Sequence, residues 1–250
     1  MMLESKVAVI YGGGGQIGGA VANAFAREGA QVFLAGRTQG NLDRVADAIR
    51  AKGGTAQTAV VDALDEKAVN QFVDGVVKQA GHIDISFNVI SVGDVQKPLN
   101  EISVDDFLQP ITITMRTQFL TTRAASKHMI KQGSGVILTF GGSGPQTIQG
   151  LGGFKISLDA LEGLRRQWAI ELGQHGIRVL TLKTGGIPES IQGVDAKMRE
   201  QITQSIEQDA MLKRAATLAD VGNVAAFVAS DLARTITSTE VNISCGAIVD

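Results

Sequence analysis

The stretch Tyr11-Gly12-Gly13-Gly14-Gly15-Gln16-Ile17-Gly18-Gly19 decides how this chain is read. It follows the apolar run Val7-Ala8-Val9-Ile10 and opens onto Ala20-Val21-Ala22-Asn23-Ala24-Phe25-Ala26. The run has the length of a buried strand, and the segment beyond it has the pattern of a helix. Six of the nine residues are glycine. With no Cβ in the way, such a backbone turns sharply and comes close to a ligand. The helix start beyond it offers unpaired N–H groups and a partial positive charge, a binding site for a pyrophosphate. Strand, turn and helix in this order favour a dinucleotide site over a flexible glycine loop.

Outward from that turn, apolar runs alternate with helical patterns. The strand candidates are Val7–Ile10, Val32–Ala35, Ala56–Val61, Ile83–Asn88, Gly135–Phe140, Ile177–Lys183 and Glu240–Ile243. Segments of 3.6-residue period, such as Leu42–Ala51 and Ala68–Gln79, lie between them. The alternation predicts a single-domain α/β chain over residues 1–250: a Rossmann-like, doubly wound parallel sheet of about seven strands with helices on both faces. The glycine-rich stretch Gly141–Gly153 follows a central strand. Ligands bind at that carboxyl edge in open α/β sheets, so it reads as a ligand-facing loop, with a disordered surface loop as the plainer alternative.

Composition excludes several classes. The chain has 250 residues, a formal net charge of −2 and no basic run, so nothing calls for nucleic acid or an anionic membrane. No apolar stretch is long enough to span a bilayer. Cys245 is the only cysteine, which excludes an intrachain disulfide and fits the reducing cytoplasm. The first strand begins too early to leave room for a signal peptide. His82, His128 and His175 lie far apart without ligand-like spacing, so surface or capping roles are expected and no metal site.

The second strand ends Ala35-Gly36-Arg37, about twenty residues past the glycine turn. There an acidic residue would hold the ribose 2′-hydroxyl of NAD, and an arginine would accommodate the 2′-phosphate of NADP. No acid stands here, and a guanidinium fork pairs well with phosphate. The expectation is NADP(H) in preference to NAD(H), with a solvated arginine at a helix start as the plainer reading.

In these features the sequence resembles the short-chain dehydrogenase/reductase family over nearly its whole length. The turn from Gly12 to Gly18 resembles the family's threonine-glycine-x3-glycine-x-glycine, with Tyr11 for the threonine and Gln16 for the middle glycine. Gly13, Gly15 and Gly18 also fit G-x-G-x-x-G in a shifted register. Asp62-Ala63 resembles the pair that meets the adenine ring, and Asn88 the first asparagine of Asn-Asn-Ala-Gly. Thr184-Gly185-Gly186-Ile187 stands where the family has Pro-Gly-x-Ile against the nicotinamide carboxamide. The resemblance implies a nicotinamide dinucleotide held by Gly12, Gly14, Gly15, Gln16, Ile17, Gly18, Arg37, Asp62, Ala63, Asn88, Val89, Gly185 and Ile187. It also implies a homo-oligomer, dimer or tetramer.

The resemblance fails at the catalytic positions. The family uses a tyrosine and a lysine four residues apart on one helix, hence one turn apart on one face. The lysine's charge lowers the tyrosine's pKa so that its hydroxyl exchanges a proton with substrate oxygen. A serine and an asparagine complete the set. Here those positions carry Phe154, Leu158, Gly142 and Thr114. No displaced tyrosine can substitute, because Tyr11 is the only one in the chain. Three residues remain candidates for an improvised role: Ser143 and Thr114 as hydrogen-bonding groups, and Lys183 as a charge near the vacated space. For Lys183, snorkelling to solvent or pairing with Glu189 is the expectation. Lys155 is expected to be solvated. Leu161, Leu164, Trp168 and Leu172 read as core or subunit contacts.

Two main readings follow. One is an NADP(H)-binding family member with an unusual reductase activity toward an activated acceptor such as a conjugated double bond, its substrate a small molecule. The other is a non-catalytic dinucleotide-binding sensor or structural subunit beside an active relative. Gln16, Val89 and Ile90 depart from the usual contacts, which keeps loss of the cofactor open as a third.

Overall fold

A computed structural model describes residues 1–141, 147 and 149–249. Among the described residues, seven strands form one parallel sheet: β1 (Val7–Tyr11), β2 (Gln31–Gly36), β3 (Thr55–Val60), β4 (Ile85–Asn88), β5 (Gly135–Gly141), β6 (Ile177–Lys183) and β7 (Thr239–Asn242). Their order across the sheet is β3-β2-β1-β4-β5-β6-β7. The helices are α1 (Gln16–Arg27), α2 (Gln39–Arg50), α3 (Glu66–Ala80), α4 (Val104–Gln132), α5 (Gly152–Gly173), α6 (Ala196–Asp209) and α7 (Leu218–Ala229).

Both faces of the sheet are covered, and the central strand β1 accordingly reads as a continuous apolar run. Every residue of β1 is buried. Ala8 and Ile10 join a cluster with Val21, Phe25, Leu42 and Val221, under α1, α2 and α7. Val7, Val9 and Tyr11 join the opposite one with Val69, Val73, Ala124 and Trp168, under α3, α4 and α5. This is the alternation of side chains across a pleated strand. Leu161, Trp168 and Leu172 of α5 are buried, the last two in the second cluster, with Leu164 packed against it. The apolar residues α5 leaves exposed are Ile156 and Ile170.

Caps mark where several helices start. Asp65 accepts the N–H groups of Lys67 and Ala68 at the start of α3, and Ser103 accepts that of Asp106 in α4. Thr217 and Asp220 form a reciprocal capping box on α7. Hydrogen bonds from Thr217 hold the Asp220 carboxyl below its ordinary pKa.

Strand bounds differ from the sequence reading by a residue or two. β4 begins at Ile85 rather than Ile83. Ile83 is buried but stands outside the ladder. At this point the Asp84 carboxylate takes the Val7 N–H at 2.7 Å, and the Asp84 N–H donates to the Val7 carbonyl. No described helix is long and apolar enough to cross a membrane.

Candidate functional site

The strand order reverses between β1 and β4, where an open α/β sheet leaves a crevice at the carboxyl ends of its strands. A cavity of about 650 Å³ opens there. The turn after β1 lines it with Gly12, Gly14 and Gly15, the end of β2 with Arg37 and Thr38, and the end of β3 with Asp62 and Ala63. Val89, Ile90 and Ser91 follow β4 into the same wall. Gln109, Ile113 and Thr117 of α4 and Gln192 close the far side.

The turn is braced by close backbone contacts. Gly12 and Gly13 both donate to the Ala35 carbonyl, at 2.9 and 3.1 Å. Gly12 has a φ of +80°, and a Cβ there would lie 2.7 Å from the Val89 carbonyl oxygen. A Cβ on Gly18 would lie 2.3 Å from the Gly12 carbonyl oxygen. Backbone cannot move aside as a side chain can, so Gly18→Ala is expected to destabilise the fold by about 1–3 kcal/mol. A thermal melt checks this, and a nucleotide titration of the same variant should show binding weakened as the turn opens.

Gly15 caps α1 without any side-chain hydrogen bond. The amides of its first turn, beginning at Gln16, are thus available to a phosphate. Gln16 and Ile17 are half-buried and Gly18 is buried. None of these three, nor Asn88, Gly185 and Ile187, is part of the cavity wall, whereas Gly12, Gly14, Gly15, Arg37, Asp62, Ala63 and Val89 are brought together in it.

Asn88 is buried and occupied by protein partners. Its amide donates to Thr121 Oγ1 at 3.0 Å and its Oδ1 accepts the Ile90 N–H at 3.1 Å. It pins the end of β4 to α4 and so sets the Val89 carbonyl over Gly12. The Asp62 carboxylate accepts the Leu64 N–H at 3.0 Å. Tyr11 lies under the turn with its hydroxyl buried and without a hydrogen-bond partner among the described residues. Burial pushes its pKa well above the phenol's ordinary value.

On the catalytic side, Phe154 and Leu158 sit half-buried one turn apart on α5. Leu158 packs on the end of β5: its Cδ2 lies 2.7 Å from where a Cβ on Gly141 would be. Thr114 is half-buried on α4, its carbonyl accepting the Thr117 hydroxyl at 3.3 Å. Gly142 and Ser143 fall outside the described residues.

Lys183 departs from expectation. It is 0% exposed and donates to Glu240 Oε2 at 2.5 Å, so it neither snorkels nor pairs with Glu189. Glu189 instead accepts the Leu218 N–H at 2.6 Å, at the start of α7. The reason is register: Lys183 aligns with Asn242 of β7, close to Glu240 on the same strand. Lys155 is likewise not simply solvated, since it pairs with Asp159 one turn on at 2.6 Å.

A second buried ion pair accompanies Lys183 and Glu240. Arg165 Nε donates to Glu162 Oε2 at 2.6 Å, both buried on α5. Burial raises the Glu162 pKa, with hydrogen bonds from Thr181 and Arg165 opposing and the Glu240 carboxyl adding to the rise. The sequence reading missed this cluster, since Glu162 and Arg165 look there like ordinary helix-surface residues. It also missed Arg44, which lines the cavity and donates through Nη2 to the Gly14 carbonyl at 3.2 Å.

A family model described as enoyl-(acyl carrier protein) reductase matches residues 14–247. An uncharacterized oxidoreductase of Bacillus subtilis (strain 168) is 30% identical over 249 residues, covering 98% of this chain and 91% of the relative. Levodione reductase of Leifsonia aquatica is 29% identical over 251 residues, covering 96% and 93%. Among solved structures, NAD⁺-bound xylitol dehydrogenase matches with a TM-score of 0.89 at 25% identity, over 98% of this chain and 100% of that one. A levodione reductase structure matches with a TM-score of 0.88 at 28% identity, over 98% of each chain.

Proposed function

The chain belongs to the short-chain dehydrogenase/reductase family of oxidoreductases, which implies a nicotinamide dinucleotide, and from that premise we propose that it is an NADP(H)-dependent reductase that passes hydride to an already activated acceptor, such as a conjugated double bond. The observation that carries the NADP(H) reading is the cavity at the β1–β4 switch point with Arg37 in its wall. Among the described residues Arg37 has no carboxylate partner within 4 Å, and a guanidinium with free donors suits a phosphate monoester. On this reading Gly12, Gly14, Gly15 and the first amides of α1 hold the pyrophosphate. Asp62 and Ala63 meet the adenine, and Gly185 and Ile187 the nicotinamide side.

When bound, the reduced nicotinamide supplies a hydride. What this chain's own residues do beside it decides the acceptor. The ionisable side chains in the described cavity wall are Tyr11, Arg37, Arg44 and Asp62. None of them is an acid suited to protonating a carbonyl oxygen near neutral pH, and the Tyr11 phenol is held protonated by burial. Phe154 and Leu158 are hydrocarbon and offer no proton from their face of α5. An enone or similar acceptor spreads the incoming charge and asks less of a protein acid. The enoyl reductase description of the matching family model supports that acceptor class.

The same lack of an acid favours a second reading, a non-catalytic dinucleotide-binding subunit or sensor. Either form is read as a homo-oligomer, with the exposed Ile156 and Ile170 of α5 available for contact.

Titration of NADPH and NADH, followed by nicotinamide fluorescence, tests the cofactor. NADPH is expected to bind at least about tenfold more tightly than NADH, a difference of about 1.4 kcal/mol. Arg37→Ala should erase that difference. Equal binding of the two in the unmodified protein would sink the NADP(H) assignment. Absorbance at saturating NADPH with a panel of ketones, quinones and enones then separates the readings: turnover on enones alone supports the reductase, and none on any acceptor supports the subunit.

A further inference from the structure

We propose that Arg44 is a second specificity-determining residue for the cofactor: it and Arg37 form a two-guanidinium clamp for the 2′-phosphate at the β2–α2 end of the cavity. The inference rests on the NADP(H) reading above and adds a residue to it.

Four observations converge. Arg37 and Arg44 line the same cavity, one from the end of β2 and one from the second turn of α2. Neither has a carboxylate partner within 4 Å among the described residues, and Arg37 has no hydrogen bond to protein there either. The acids on α2 that would neutralise Arg44 are held elsewhere. Asp43 Oδ1 accepts Gln39 Nε2 at 2.6 Å and Thr58 Oγ1 at 3.1 Å. Asp47 pairs with Arg50 at 2.9 Å. Finally, the one hydrogen bond Arg44 makes among the described residues runs from Nη2 to the Gly14 carbonyl, so its guanidinium spans from α2 to the glycine turn. A guanidinium carries five donors in a fixed fork, and the rest are left for a ligand in the cavity.

The described wall sets two cations, Arg37 and Arg44, against one acid, Asp62, whose carboxylate already accepts the Leu64 N–H. The two like charges repel each other and are stabilised when a dianion comes between them. A phosphate monoester carries close to two charges at neutral pH and accepts from several donors at once. The ribose 2′-hydroxyl of NADH offers neither. The clamp therefore acts on the difference between the two cofactors rather than on their common adenosine and pyrophosphate.

The test is a titration of NADPH and of NADH against the intact protein and its Arg44→Gln, Arg44→Lys and Arg37→Gln variants, with a melting curve for each. Arg44→Gln is expected to weaken NADPH about tenfold while moving NADH less than about threefold, and Arg44→Lys to recover part of the loss. An Arg44→Gln variant with unchanged NADPH affinity, beside an Arg37→Gln variant that has lost it, would overturn the role of Arg44 and leave the NADP(H) assignment standing. Equal weakening of both cofactors with a lowered Tm would reduce Arg44 to a brace for the Gly14 turn and overturn the clamp. An unmodified protein with no preference for NADPH would overturn the cofactor assignment and the clamp with it.

Discussion

Phe154→Tyr combined with Leu158→Lys is expected to raise NADPH-dependent ketone reduction by about 10²–10⁴-fold over the unmodified chain. The two side chains already stand at i and i+4 on α5, one above the other on one face. Leu158 abuts Gly141 at the carboxyl end of β5, the edge of the sheet where ligands of such folds sit. A lysine there would place its charge beside the new phenol and lower the phenol's pKa, so that the hydroxyl could give a proton to a carbonyl oxygen. Both positions are half-buried, so the larger polar groups have a path to solvent and need not be stranded in the core. The measurement is the rate of NADPH oxidation with simple ketones, with nucleotide affinity and the melting curve as controls. A variant that folds and binds NADPH yet reduces no ketone would show that the rest of the geometry is not that of a reductase, and would favour the non-catalytic reading.

Lys183→Met is expected to destabilise the protein by about 3–5 kcal/mol, because it leaves the buried end of Glu240 without its cation. Lys183 is fully buried at the end of β6, and its amine lies 2.5 Å from Glu240 Oε2. The Glu162 carboxyl faces that of Glu240 from α5, so the Glu240 charge has an acid beside it as well as its cation. Adding Glu240→Gln to Lys183→Met should restore more than half of the loss, since the uncompensated charge is then gone as well. Chemical denaturation of the single and double variants measures both effects. If Lys183→Met alone costs less than about 1 kcal/mol, in the range of an exposed ion pair, the pair does not stabilise β6 against β7. Lys183 immediately precedes Thr184-Gly185-Gly186-Ile187, so on the proposed function NADPH binding should weaken together with stability.

The fold was legible because its signals are local. The seven-residue run Ile177–Lys183 is β6 with the same bounds in sequence and structure. Gly12 had to be glycine for a reason a sequence displays only as a pattern, and the structure gives the cause: a positive φ under the Val89 carbonyl. The Arg37 side of the site was also readable, since the end of the second strand lies at a set distance from the turn.

What stayed hidden depends on which distant residues are brought together. Glu240 lies 57 residues beyond Lys183 in the chain, and no periodicity pairs them; only the β6–β7 register does. Arg44 reads as one charge on an amphipathic helix until α2 packs beside the glycine turn and puts its guanidinium on Gly14. Order along the chain therefore determined the strands, the glycine turn after β1 and the apolar residues at Phe154 and Leu158. Packing alone decided which charges are neutralised and which are left facing the cavity, because electrostatic partnership is set by separation in space and by burial, and neither is written in neighbouring residues.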